Sequence, residues 1–239
     1  MTSLGLALVL ILASAYVVGA TAAALCFARQ RPGAPDDSLG AEPPVSILKP
    51  LHGAEPGLYE NLRSFAEQDY PDFQLVLGVR DRTDSALRVA GALIRDLPGC
   101  DIEIVIDPRA AGSNLKVANL ENMLPAARHG LIVVADSDMR VGRDYLRIVT
   151  APLANPGTGV VTCLYKGIPL GGLWSQLAAL HINFGFLPSA LVGNAIDVGG
   201  GCFGATIALR RAVLNRIGGF ARVRNELADD HRIGAAGRG

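Results

Sequence analysis

No Cys-x-x-Cys pair occurs in the 239 residues, and the four cysteines, Cys26, Cys100, Cys163 and Cys202, are scattered. That argues against a zinc site or a disulfide framework and suits a reducing compartment. An excess of charge of either sign is missing too. Lys plus Arg and Asp plus Glu both number 22, so bulk electrostatics points to no nucleic-acid partner. There is no Gly-x-x-x-x-Gly-Lys-Ser/Thr and no Gly-x-Gly-x-x-Gly between a strand and a helix, which argues against a P-loop or a dinucleotide site. The histidines (His52, His129, His181, His231) include no pair at metal-ligand spacing and read as structural or surface groups. His231 stands apart because it neighbours Asp230.

Charged side chains are also lacking from residues 4 to 28, and this absence is informative. Leu, Ala and Val dominate the stretch, which is long enough to cross a hydrocarbon core as a helix and accounts for much of the positive mean hydropathy, +0.31. Arg29, Gln30 and Arg31 follow at once. Positive charge beside a span stays in the cytoplasm, so the rest of the chain is expected there. Met1-Thr2-Ser3 carries no basic residue and the apolar run is long for a signal peptide, so the segment reads as an uncleaved, single-pass anchor. Residues 29–43, with their Pro, Gly, Ala and Asp, read as a linker.

From residue 44 onward, strand and helix signals alternate. Val45-Ser46-Ile47-Leu48 reads as a strand stopped by Lys49-Pro50, Phe73 to Val79 as a second, Ile102 to Ile106 as a third and Leu131 to Ala135 as a fourth. Between them, Leu58, Leu62, Phe65 and Ala66, then Leu87, Ala90, Ile94 and Leu97, then Val117, Leu120 and Leu124 recur at helical spacing. Such alternation predicts a doubly wound, mostly parallel α/β sheet. Further on, a helix is expected near Asp144 to Thr150 and strands near 160–164 and 205–209. An apolar stripe of Leu173, Leu177, Leu180, Phe184 and Leu187 lies beside Trp174, the single tryptophan. Such a stripe suits core packing, its commoner use, or a membrane surface. Val198-Gly199-Gly200-Gly201-Cys202-Phe203-Gly204 either lets backbone approach a ligand or is a plain loop.

The fourth strand ends in Asp136-Ser137-Asp138. In open α/β sheets the carboxyl ends of strands face the ligand crevice. Two carboxylates at i and i+2 there are hard oxygen donors that can share a Mg²⁺ or Mn²⁺ with phosphate oxygens. The plainer reading is that Asp136 caps a turn while Asp138 is solvated. Asp84 sits where an N-cap would be, and capping alone would explain it.

Taken together, Val45-Ser46-Ile47-Leu48-Lys49-Pro50-Leu51-x-Gly53, Asn61-Leu62-x-Ser64-Phe65-x-x-Gln68-Asp69-Tyr70-Pro71, Asp84, Asn114-x-Lys116-x-x-Asn119-Leu120, Asp136-Ser137-Asp138 and Asp229-Asp230-His231 resemble the ceramide glucosyltransferase family. Within it, the chain is most similar to the bacterial branch associated with hopanoid biosynthesis. The resemblance covers nearly everything from residue 44. It implies a GT-A fold over 44–239, a nucleotide-sugar donor, a divalent cation, a membrane lipid acceptor and residence in a bacterial inner membrane. Carried over by position, Asp84 and Asp136 match the family's first two aspartates near the nucleotide, and Asp138 the metal-binding end of Asp-x-Asp. Asn114 and Lys116 belong to a motif placed near the donor. Asp230 matches the third aspartate, the catalytic base of an inverting transfer, with Asp229 in support.

The family also carries a Gln/Arg-x-x-Arg-Trp motif and further membrane segments beyond the third aspartate, whereas nine residues follow Asp230 here. The expectation is therefore a C-terminally truncated domain, with Gly234 to Gly239 as a severed helix. Two rivals stand beside an active transferase. One is a folded but inactive nucleotide-sugar-binding remnant. The other is a haloacid-dehalogenase-like phosphotransferase, with Asp136 as nucleophile, Asp138 as acid/base and Asp229-Asp230 on magnesium. It fits poorly, because that motif belongs on a first strand and Met139-Arg140 follows it here.

Overall fold

The computed structural model describes residues 2–29, 42–196 and 203–225. The expectations on most of the 29–43 linker, on the glycine run from Val198 to Cys202 and on Asp229, Asp230, His231 and the tail lie outside the described residues. The chain divides into two compact units, Met1–Ala34 with Leu164–Gly200, and Pro35–Cys163 with Gly201–Gly239.

The larger unit is built on one sheet. Its elements run β1 (Val45–Pro50), α2 (Leu58–Ala66), β2 (Phe73–Val79), α3 (Ala86–Asp96), β3 (Ile102–Ile106), α4 (Leu115–Met123), β4 (Leu131–Ala135), α5 (Tyr145–Thr150), β5 (Val160–Thr162), β6 (Thr206–Arg210) and α8 (Arg211–Arg216). The sheet order is β3-β2-β1-β4-β6-β5. β1 pairs in parallel with β2 and β4, and β2 with β3, whereas β6 runs antiparallel to β4 and to β5. The sheet is thus mixed and mostly parallel.

Strand alternation explains the two faces of the core. Val45, Ile47, Leu75, Leu77, Val79, Leu131 and Val133 point to one side, where they meet Leu62 and Phe65 of α2 and Ala90 and Leu93 of α3. Leu48, Val76, Ile132 and Val134 point to the other, against Val117, Leu120 and Met123 of α4 and Leu214 of α8. A strand covered on both faces has no polar side to show, so β4 reads as an unbroken aliphatic run.

α4 lies so close to β2 that a Cβ on Gly78 would overlap Met123 and sit 2.6 Å from Asn119 Oδ1. Asn119 Nδ2 donates to the Gly78 carbonyl at 2.9 Å. Gly78→Ala should therefore cost about 1–3 kcal/mol by overpacking. A lower urea midpoint at unchanged slope is the expected result, and an unchanged midpoint would contradict this packing.

β1 is longer than the sequence suggests. Lys49 and Pro50 continue it, pairing with Leu77 and Gly78, and Leu51 N–H still bonds the Gly78 carbonyl at 2.8 Å. The strands expected at 160–164 and 205–209 fall at 160–162 and 206–210.

The smaller unit comprises α1 (Thr2–Arg29) and a helical run of α6 (Leu173–His181), a π-helical segment (Ile182–Phe186) and α7 (Leu187–Ala195). Leu4–Arg29 is long and apolar enough to cross a membrane. The stripe that suited either core or membrane is not core in this unit, since Trp174 is 82% and Phe184 76% exposed.

Candidate active site

Chain order β1-β2-β3 grows the sheet to one side of β1, and β4 then returns to its other side. The carboxyl ends of β1 and β4 therefore flank a topological switch point, where an α/β sheet opens a crevice. A cleft of about 990 Å³ lies there, lined by His52, Glu55, Arg80, Asp81, Asp84, Lys116, Asp136 and Asp138 among others.

Asp136 begins a turn immediately after β4. Its carbonyl accepts from Met139 N–H at 3.2 Å and from the Lys49 ammonium at 2.6 Å. Two further contacts hold the turn: Asn61 Nδ2 donates to the Ser137 carbonyl at 3.4 Å, and Ser137 Oγ donates to Glu55 Oε1 at 2.9 Å. The Asp136 carboxylate forms an ion pair with Lys116 at the start of α4. Asp138 sits nearby at the exposed rim of the turn. Burial first, then the charges of Asp136 and Glu55, push its carboxyl above the usual range.

Lys49 is the residue that sequence reasoning missed. Its side chain is fully buried, with the ammonium 3.6 Å from the centroid of the Phe65 ring. A cation over a ring face is stabilised there even without water. The signal was a lone Lys closing an apolar strand, which passed for a stop.

Burial lowers the Lys49 pKa from 10.5 to about 7, against the opposing pull of Asp136, Asp138 and Glu55. Between those two values the unfolded chain holds a proton that the folded chain has released, so stability rises with pH across the window. Below about 7 both states are protonated, and the burial penalty is fully present. Lys49→Met keeps the apolar stem and removes the charge, so denaturation midpoints at pH 7 and 9 should differ for the native chain more than for the variant. Equal pH dependence would show that Lys49 is not the titrating group.

Asp84 lines the cleft, but its oxygens are committed to backbone. They accept from Gly53 N–H at 2.9 and 3.1 Å and from Ala86 N–H at 2.8 Å, with His52 Nδ1 at 3.5 Å. Gly53 adopts φ +73°, a region that favours glycine, and from there directs its N–H at Asp84. Asp84 is not the cap residue itself, because α3 starts at Ala86 after Ser85. Its carboxylate ties the loop after β1 to the loop after β2 and so braces the cleft wall. Asn114 does cap α4, accepting from Lys116 and Val117 N–H at 3.1 Å each, and thereby sets the helical turn that presents Lys116 to the cleft. Asp84, Lys116, Asp136 and Asp138 are thus gathered at one crevice. Asp230 lies outside the described residues.

No group of three or more His, Cys, Asp or Glu side chains among the described residues is arranged to hold a metal alone. Ions of the Mg²⁺ type are commonly held by one or two carboxylates plus substrate phosphates, and two carboxylates on one turn provide that donor set. The upward shift of Asp138 comes first from burial and then from the charges of Asp136 and Glu55, and a cation would relieve the second contribution. The residues present fit such an ion.

A switch-point crevice with Asp-x-Asp at the end of the fourth strand, in a sheet with one antiparallel strand set between β4 and β5, is the arrangement of a GT-A fold. The chain belongs to glycosyl transferase family 21, whose model matches residues 7–238. It is 27% identical over 198 residues to ceramide glucosyltransferase 1 of Caenorhabditis elegans, covering 82% of this chain and 42% of that one. Over 101 residues it is 35% identical to the ceramide glucosyltransferase of Komagataella phaffii, covering 41% and 20%. The chain spans less than half the length of these relatives. Its fold is similar to that of a mannosyltransferase from Pyrobaculum calidifontis in complex with GDP-Man and Mn²⁺, with TM-score 0.62, 22% identity, and coverage of 93% of this chain and 61% of the other. The ceramide glucosyltransferase resemblance read from the sequence is borne out, and with it the GT-A fold.

Proposed function

We propose that this chain carries the donor-binding domain of a membrane-anchored, inverting glycosyltransferase that moves a sugar from a nucleotide-sugar, a UDP-sugar, to a lipid alcohol such as a hopanoid or a ceramide. The observation that carries the reading is the gathering of Asp84, Lys116, Asp136 and Asp138 at the switch-point cleft. Family membership and the names of the relatives, which are ceramide glucosyltransferases, support the choice of acceptor class. The apolar length of α1 supports an anchor, with the larger unit on the cytoplasmic side.

Asp136 and Asp138 would hold Mg²⁺ or Mn²⁺, which neutralises the departing diphosphate when bound. Lys116, paired with Asp136, places a second positive charge at the same point of the cleft. Asp230 takes the proton from the acceptor hydroxyl as that oxygen attacks the anomeric carbon. A single displacement needs no carboxylate nucleophile, so Asp229 has a supporting place. The phosphotransferase alternative, which needs Asp136 as nucleophile, has no support in a family 21 match.

The test is transfer of radiolabelled sugar from UDP-glucose to hopanoid and ceramide acceptors by membranes containing the protein, with and without Mn²⁺. Label in the lipid phase is the expected result. Donor binding with no transfer to any lipid alcohol would favour the inactive remnant, and a labile aspartyl-phosphate would favour the phosphotransferase.

A further inference from the structure

The smaller unit poses a problem that the larger one does not. From Gly167 to Ile196 the chain contains no Asp, Glu, Lys or Arg. Its large apolar side chains lie open, Leu173, Trp174, Leu180 and Phe184 among them. Soluble proteins rarely leave so large an apolar patch uncovered.

Contacts inside the unit say where this segment stands relative to α1. The Tyr16 hydroxyl and Ser189 Oγ are 2.8 Å apart, and Ala20, one turn after Tyr16, is the only residue of α1 that is buried among those described. α7 therefore packs on α1 around Tyr16 and Ala20. At about 1.5 Å per residue, Tyr16 lies roughly 20 Å along the helix axis from Arg29. That is past the midpoint of a hydrocarbon core about 30 Å thick. If α1 is in the bilayer, Ser189 is at bilayer depth.

Several polar groups of the unit are satisfied within it, as a lipid environment favours. Asn183 Nδ2 donates to the Gly167 carbonyl at 2.9 Å, and its Oδ1 accepts from Gly167 N–H at 2.8 Å. Ser175 Oγ accepts from Leu170 N–H at 2.9 Å. Ser189 Oγ and Thr21 Oγ1 donate back to the Gly185 and Val17 carbonyls, at 2.8 Å each.

Connectivity then limits how the segment sits. β5 precedes it and β6 follows it, and the two pair within one sheet, Val160 opposite Leu209. A single crossing would put these paired strands on opposite sides of the membrane. The chain must go in and come back.

We propose that residues 168–196 form a re-entrant, bilayer-embedded segment that packs on α1 and returns to the side it entered from, so that the described residues include two membrane-inserted elements. The occupant of the exposed apolar face is lipid acyl chain. The inference rests on α1 being in the bilayer, as the proposed function holds.

Trp174 is the only tryptophan in the chain and reports on this segment without any substitution. The experiment is emission from the protein in phosphatidylcholine liposomes with plain or brominated acyl chains. The Trp174→Phe variant carrying Phe184→Trp gives a second position in the segment, and Trp174→Phe carrying Leu12→Trp reports on α1. Trp174, the residue-184 reporter and the residue-12 reporter should all lose emission in the brominated lipid. Quenching of the α1 reporter without quenching of either segment reporter overturns the inference and leaves the anchor intact. Quenching at Trp174 without quenching at position 184 reduces the segment to surface contact and also overturns it. Blue-shifted but unquenched emission from the segment means that protein, such as a second copy, covers the face. Failure of the residue-12 reporter overturns the anchor and the inference together.

Discussion

Asp138→Ala should abolish divalent-cation-dependent binding of a nucleotide-sugar while leaving the fold as stable as before, or more so. Loss of groups that merely orient metal ligands costs about 10–100-fold in metal affinity, so loss of a ligand should cost at least about 100-fold. The stability half of the prediction follows from the carboxyl's environment. Burial and the charges of Asp136 and Glu55 raise its pKa from 3.8. An acid raised on folding binds its proton more tightly when folded, so its stabilising contribution is present at low pH and lost as pH rises through the folded value. At neutral pH in chelator the charged group is a burden, and Ala removes it. Calorimetric titration of UDP-glucose with Mn²⁺, beside a urea denaturation in EDTA, measures both. Unchanged binding, or a marked loss of stability, would make Asp138 a structural residue.

Asp230→Asn is the second large effect. As the proposed base, Asp230 removes the acceptor's proton at the moment of attack, and Asn cannot. General-base catalysis is worth about 10²–10⁴-fold, so transfer by membranes containing the protein should fall by about that factor while donor binding is kept. A variant that turns over at the native rate would eliminate Asp230 as the base, whatever the rest of the cleft does.

Much of the sheet could be read from sequence because its central strands, β1, β2 and β4, are buried on both faces. β2, β3 and β4 have the expected limits, set by aliphatic runs with clear polar boundaries. β1 does not, because Lys and Pro normally end a strand. Here Pro50 stands at the last position, and the Lys49 charge is met by Phe65 from α2 and the Asp136 carbonyl from the turn after β4, both distant in sequence. The antiparallel placement of β6 and β5 is likewise a property of long-range pairing that periodicity does not encode.

The site was legible in part for the same reason. Asp136 and Asp138 follow a strong strand and had to fall at its carboxyl end. The sequence left Asp84 open between capping and ligand binding, and its side chain proves to brace two loops by accepting backbone amides, a role that local spacing cannot distinguish. Asn114 reads as a donor-site residue by resemblance and, in the fold, caps the helix that carries Lys116. The stripe beside Trp174 has helical spacing whether it meets core or lipid, and only its exposure in the folded unit shows that it is not core there.

The most direct test of the central claim is the binding isotherm of UDP-glucose to the unsubstituted chain, measured first in EDTA and then with Mn²⁺ or Mg²⁺. Saturable binding that appears or tightens strongly with the cation is the predicted result. Binding indifferent to the cation, or none under either condition, would contradict a cleft built around Asp136 and Asp138.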